Sequence, residues 1–133
     1  MTARHLGMTA LVVRDYDAAI HFYVDILGFH LLEDTRLSET KRWVVVAPDP
    51  ARGAALLLAR AASPEQLSRV GDQTGGRVFL FLYTDDHDRD RAAWSAAGVR
   101  FVRGPHDESW GRVSVFEDLH GTLWDLIQPV DAP

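Results

Sequence analysis

The sequence predicts an α+β fold made of two tandem β-α-β-β-β modules. Three observations carry that prediction. Short apolar, β-branched runs alternate with stretches of helical spacing. An aspartate and a glycine bracket a helical stretch in each half at one spacing, Asp15 to Gly28 and Asp85 to Gly98, 13 residues each time. Each glycine is followed by an apolar residue that opens a strand, Phe29 or Val99, so the pattern repeats with a period of about 70 residues.

Taken in order, residues 6–13 form an apolar strand. Asp15 stands at an N-cap position with Asp17 in the first turn, where carboxylates complement free N–H groups and the helix dipole. Ala19, Ile20, Tyr23, Ile26 and Leu27 line one face of a helix over 16–27, and Gly28 closes it as a left-handed cap. Strands follow at 29–35, 42–47 and 54–60, the middle one broken off by Pro48 and Pro50. Residues 61–76 are read as a linker holding Pro64, a helical turn at 65–70 and the flexible run 71–76. The second half repeats the order: strand 77–84, helix 88–97 with Ala92, Ala93 and Ala96 inward, strand 99–103, a turn at Gly104-Pro105, strand 111–117, a tight turn at 118–121, and a last strand at 122–128. The chain is thus expected to be one domain, 1–133, with module one at 5–60 and module two at 77–129.

Composition narrows the functions. The chain has 133 residues, 47% hydrophobic and 25% charged, an ordinary globular balance. There is no cysteine, which removes disulfides, thiolate nucleophiles and Cys-ligated metals together. Net charge is −5 with no long basic run, so no nucleic-acid partner is expected. No signal-peptide pattern opens the chain and no apolar stretch approaches a bilayer span. A cytoplasmic, soluble protein is expected. No Ser-His-Asp order, phosphate loop or dinucleotide fingerprint is legible.

The run Val12-Val13-Arg14-Asp15-Tyr16-Asp17-Ala18-Ala19-Ile20-His21-Phe22-Tyr23 with Leu27-Gly28-Phe29, and the close Val115-Phe116-Glu117-Asp118-Leu119-His120-Gly121-Thr122-Leu123-Trp124-Asp125-Leu126, resemble the vicinal oxygen chelate superfamily, which includes glyoxalases, bleomycin-resistance proteins and extradiol dioxygenases. The resemblance covers nearly the whole chain. It implies curled mixed sheets around a cleft, helices on the convex side, and in many members a divalent metal held by a His early in the first strand of each half and a carboxylate late in the last strand of each half. Those positions fall here on Met8, Leu57, Val78 or Phe79, and Asp125. Only Asp125 offers a donor suited to such ions, so no metal and no other cofactor are expected. His5 lies three residues before Met8 and faces the cleft only if a bulge reverses the strand.

The cleft is then expected to be apolar. Met8, Trp43, Leu57, Phe79, Phe81, Trp110 and Asp125 are the candidate ligand-contacting residues. Strand alternation turns Asp125 inward while Trp124 and Leu126 pack under a helix. Its carboxylate is read either as a ligand contact, with Arg77, Arg112 or Arg42 as a balancing cation, or as a structural hydrogen-bond acceptor toward backbone or Tyr83. Trp110 and Trp43 offer faces for stacking, while Trp94 and Trp124 are read as core. His106 sits at the cleft mouth, and His87 is read as a solvated cap.

Two functions follow. The first is a metal-free small-molecule-binding protein of the bleomycin-resistance type, acting as a homodimer that sequesters an organic ligand. The alternative is a lyase, isomerase or dioxygenase-like enzyme in which Asp125 works with a metal or as general acid or base.

Overall fold

A computed structural model describes residues 2–131. The chain forms two compact units that divide between Val70 and Gly71. The first runs β1 (Met8–Val13), α1 (Tyr16–Ile20) continued by a π-helical segment (His21–Ile26), β2 (His30–Arg36), β3 (Arg42–Ala47), β4 (Ala55–Arg60) and a short α2 (Pro64–Ser68). The second runs β5 (Leu80–Tyr83), α3 (His87–Ala96), β6 (Arg100–Glu108), β7 (Gly111–Glu117) and β8 (Leu123–Pro129).

Each unit holds one mixed four-stranded sheet, ordered β1-β4-β3-β2 in the first and β5-β8-β7-β6 in the second. The first and last strands of each module run parallel, and the other neighbours are antiparallel. The duplicated α+β architecture expected from the repeat is therefore present. No helix among the described residues is long and apolar enough to cross a membrane.

In the first unit, alternation places Leu11 and Val13 of β1, Val44 and Val46 of β3, and Leu56 and Leu58 of β4 in the core. Helix α1 packs on β3 and β4. Asp15 caps it, its carboxylate accepting from the Ala18 N–H at 2.8 Å. The expected uniform 3.6-residue helix is not kept: after Ile20 the turns widen, and the Leu27 N–H reaches the Phe22 carbonyl at 3.0 Å. The wider turn lets the adjacent Phe22 and Tyr23 both be buried, where a regular helix would direct them about 100° apart. Gly28, at φ +82°, closes the segment as expected.

The second unit departs from the sequence reading at α3. Ala92, Ala93 and Ala96 were expected inward, yet they are exposed, and the helix buries His87 and Trp94 with Arg91 half-buried. Trp94 offers far more apolar surface than three methyl groups, so it sets the inward face. Its ring meets Phe116 edge-on at 5.4 Å, and Phe116 stacks on Trp124 at 5.8 Å. Arg91 lies over the Phe101 ring at 4.6 Å.

Strand β6 is the other departure. It does not end at Arg103 but runs on to Glu108, across Gly104-Pro105. Register shifts on either side of Arg103 absorb the irregularity, and pairing resumes at His106 opposite Val113. Gly104 is required there. Its φ is +87°, and a Cβ would stand 2.7 Å from the Val113 carbonyl oxygen. At the other end of the module, the strand expected over 77–84 shortens to Leu80–Tyr83. Gly75 and Gly76 hold φ of +70° and +103° just before it, bending the chain so that Arg77 and Val78 approach the sheet as a loop.

Candidate ligand-binding site

The site grows from β8. Trp124 and Leu126 are buried, which turns Asp125 to the opposite, open face of the second sheet. Its neighbours across the strands are Phe81 of β5 and Val115 of β7. One strand further, Arg103 stands opposite Val115 and His106 opposite Val113. Trp110 projects from the two-residue turn between β6 and β7. These groups, with Arg77 and Val78 from the preceding loop, line a cavity of about 480 Å³, within the usual range for a small-molecule pocket. Phe81 and Trp110 remain 58% and 52% exposed, so two aromatic faces are open to a ligand.

Asp125 is the polar centre. Burial raises its pKa above the ordinary carboxylate value, while the nearby Arg103 guanidinium and His106 side chain pull it back only in part. Among the described residues no hydrogen bond or ion pair reaches its carboxylate. The balancing cations weighed from the sequence divide. Arg77 lines the cavity. Arg112 instead binds Asp88 and Asp107, each at 2.9 Å, and Arg42 binds Asp17 and Asp34 at 2.9 and 2.7 Å. The hydrogen bond to Tyr83 does not form either, because Tyr83 pairs with Ile127 and is 62% exposed. Arg103 escaped the sequence reading because the register shift beside it hides which face it takes.

Of the candidate residues, Phe81, Trp110 and Asp125 meet in this cavity. Trp43 and Leu57 line another, of about 630 Å³, formed by first-unit residues. Met8 and Phe79 line neither. Met8 is an exposed residue of β1 opposite Ala55, and Phe79 donates its N–H to the Leu123 carbonyl at 2.9 Å just before β5.

The donor set does not fit the metal that the family resemblance implies. Met8, Leu57, Val78 and Phe79 carry no hard oxygen or imidazole donor. Among the described residues no group of three or more His, Cys, Asp or Glu gathers to hold an ion. His5 is exposed and precedes β1.

A serine–histidine–aspartate constellation, not legible from residue order, does form in the second unit. His87, expected as a solvated cap, is fully buried. Its Nδ1 lies 2.8 Å from Asp88 and its Nε2 2.8 Å from Ser114 Oγ, which also accepts from Arg91 at 2.7 Å. The contacts to His87 and Arg112 hold the Asp88 carboxyl below its usual pKa. Ser114 has no solvent exposure, so no substrate reaches it. The group is a structural tie, and nucleophilic catalysis gains no candidate from it.

Paired β-α-β-β-β units with an open sheet face and an inward acid on the last strand define the class. The profile of the Glyoxalase/Bleomycin resistance protein/Dioxygenase superfamily matches residues 5–126, and the chain belongs to that superfamily. An uncharacterized protein of Shewanella frigidimarina is 58% identical over 90% of this chain and 89% of its own length. Among solved structures, TnmS3, an antibiotic binding protein from Streptomyces sp. CB03234, is 34% identical with a TM-score of 0.79, covering 97% of this chain and 98% of that one. A glyoxalase/bleomycin resistance protein from the same organism is 32% identical with a TM-score of 0.75, covering 93% and 100%.

Proposed function

We propose that the chain is a small-molecule-binding protein that sequesters an organic ligand in the Asp125 cavity. The carrying observation is the cavity itself: two exposed aromatic faces, Phe81 and Trp110, around a carboxylate that no hydrogen bond or ion pair engages among the described residues. Such a site takes a planar or aliphatic body by stacking and burial, and orients it by one polar handle. The similarity to TnmS3 supports the reading, because that protein binds an antibiotic. The missing donors at three of the four family ligand positions support binding without a metal.

A thermal-shift screen of planar polycyclic compounds tests it. A ligand at one hundred times its dissociation constant stabilises the protein by about 2.7 kcal/mol. Trp110→Ala is expected to weaken such a ligand about tenfold by calorimetry. Unchanged affinity in that variant removes Trp110 from the site, and a screen without hits counts against the reading as a whole.

A second reading rests on the burial that raises the Asp125 pKa. A carboxyl that keeps its proton above the ordinary range can serve as general acid or base in lyase or isomerase chemistry. Turnover lost in Asp125→Asn, with ligand affinity retained, would favour this over sequestration.

A further inference from the structure

We propose that the buried cluster of His87, Ser114 and Arg91 is a positioning device: it fixes the course of β6 and so the placement of Arg103 and His106 on the wall of the Asp125 cavity. The functional meaning of that placement rests on the reading of the cavity as a binding site.

The need for such a device lies in β6 itself. Its register against β7 shifts between Phe101 and Arg103 and again between Arg103 and His106. A strand is located by its ladder, and here the ladder slips on both sides of a cavity residue. The Arg103 side chain makes no hydrogen bond or ion pair among the described residues, so its backbone alone places it.

The helix side of β6 supplies what the ladder lacks. Along β7, Arg112, Ser114 and Phe116 alternate with Val113 and Val115, and only the two valines line the cavity. On the side of Ser114, α3 reaches β6 at Phe101, Gly104 and Asp107. Arg91 lies over the Phe101 ring at 4.6 Å. Ser114 backs Gly104 so closely that a Cβ on the glycine would stand 3.0 Å from Oγ. That Oγ is itself held, by His87 Nε2 at 2.8 Å and by Arg91 Nη1, which donates at 2.7 Å. Arg112 joins Asp107 of β6 to Asp88 of α3, each at 2.9 Å. His87 Nδ1 meets the same Asp88 oxygen at 2.8 Å, so the contacts form one connected network.

Stability alone does not call for this chemistry. An apolar group of the same shape at Ser114 would attach helix to sheet about as well, because buried polar pairs add little over a well-packed isostere. Hydrogen bonds add direction. Two of them pin Oγ at one point, and Oγ meets the backbone of β6 between the two residues that face Asp125.

Nuclear magnetic resonance titration of the Asp125 carboxyl in the full chain tests the proposal. Arg103 and His106 oppose the effect of burial on that carboxyl, so a displaced β6 raises its midpoint further. Arg103→Gln sets the scale of the rise. Ser114→Ala and His87→Leu are expected to raise the midpoint in the same direction. His87→Gln, whose amide can meet Ser114 Oγ from the place of Nε2, should stay near the parent. Val46→Ala, a core deletion in the first unit, controls for lost stability and should leave the midpoint unchanged. A parent midpoint in Ser114→Ala, equal midpoints in the two His87 variants, no rise in Arg103→Gln, or a like rise in Val46→Ala would each overturn the proposal. Should Ser114→Ala fail to fold, the two His87 variants decide. No ligand enters this measurement. A thermal-shift screen without hits therefore removes the sequestration reading alone, and an unmoved carboxyl removes the positioning alone.

Discussion

Asp125 lies between Phe81 and Val115 in the sheet, and neither neighbour can donate to a carboxylate. Burial therefore outweighs the opposing influence of Arg103 and His106, and its folded-state pKa is raised. The consequence for stability has a definite sign. At low pH the group is protonated in both folded and unfolded chains and contributes nothing. As pH rises through the ordinary carboxylate pKa, about 3.9, the unfolded chain releases its proton first. The folded state then binds more protons than the unfolded state, so stability falls until pH passes the raised folded value. Asp125→Asn removes this loss. The variant is expected to melt above the parent at pH 7, with the gain disappearing as pH drops toward the unfolded carboxylate value. Denaturation across that range checks it, and a variant less stable than the parent at neutral pH would mean that Asp125 accepts a stabilising hydrogen bond after all. The same substitution reports on function, since a carboxylate kept at a stability cost is more readily understood through a ligand than through folding.

Helix α3 shows where residue order informs and where it stops. The Asp85-to-Gly98 spacing locates the element, because capping and termination are local chemistry. Its inward face was not legible. Three alanines looked like a stripe, but the burial goes to His87, Arg91 and Trp94 at successive helical turns, and that choice depends on Phe101, Phe116 and Trp124 lying beneath. The same holds for the cavity. Asp125 and Phe81 follow from strand alternation, whereas Arg103 and the path of β6 depend on a bulge set by contact with β7. The His87 tie gives α3 a purchase on β7 that its short, polar sequence lacks: Nε2 meets Ser114 Oγ and Nδ1 meets Asp88, each at 2.8 Å. His87→Ala removes both bonds and leaves a void, at an expected cost of about 2–4 kcal/mol. Ser114→Ala, which leaves one imidazole nitrogen unsatisfied, should cost about 1–2 kcal/mol. Urea denaturation measures both, and a cost below about 0.5 kcal/mol for His87→Ala would deny the tie its role.

At the scale of the whole molecule, the outer strands of the two units are unlike in charge. In the first sheet, β2 carries Glu33, Asp34 and Arg36, and in the second, β6 carries Arg100, Arg103, Asp107 and Glu108. Charged outer strands resist pairing with other chains. The opposite outer strands, β1 and β5, read MTALVV and LFLY without a charge, and outside the Asp125 cavity they expose Met8 and Tyr83. Uncharged edges with exposed apolar side chains are favourable only if something covers them. A second copy of the chain is the simplest cover, because a two-fold pair buries the same edge on both partners. The protein is therefore expected to run as a homodimer, at twice the 14.9 kDa chain mass, in light scattering coupled to gel filtration. Tyr83→Asp, which places a charge on the β5 edge but outside the residues lining either cavity, should shift the mass toward the monomer while leaving the fold intact by circular dichroism. A parent chain that elutes at a single chain mass at a concentration of about 100 μM, where even a dimer with a dissociation constant of about 1 μM would be largely assembled, would show that no second copy covers these edges.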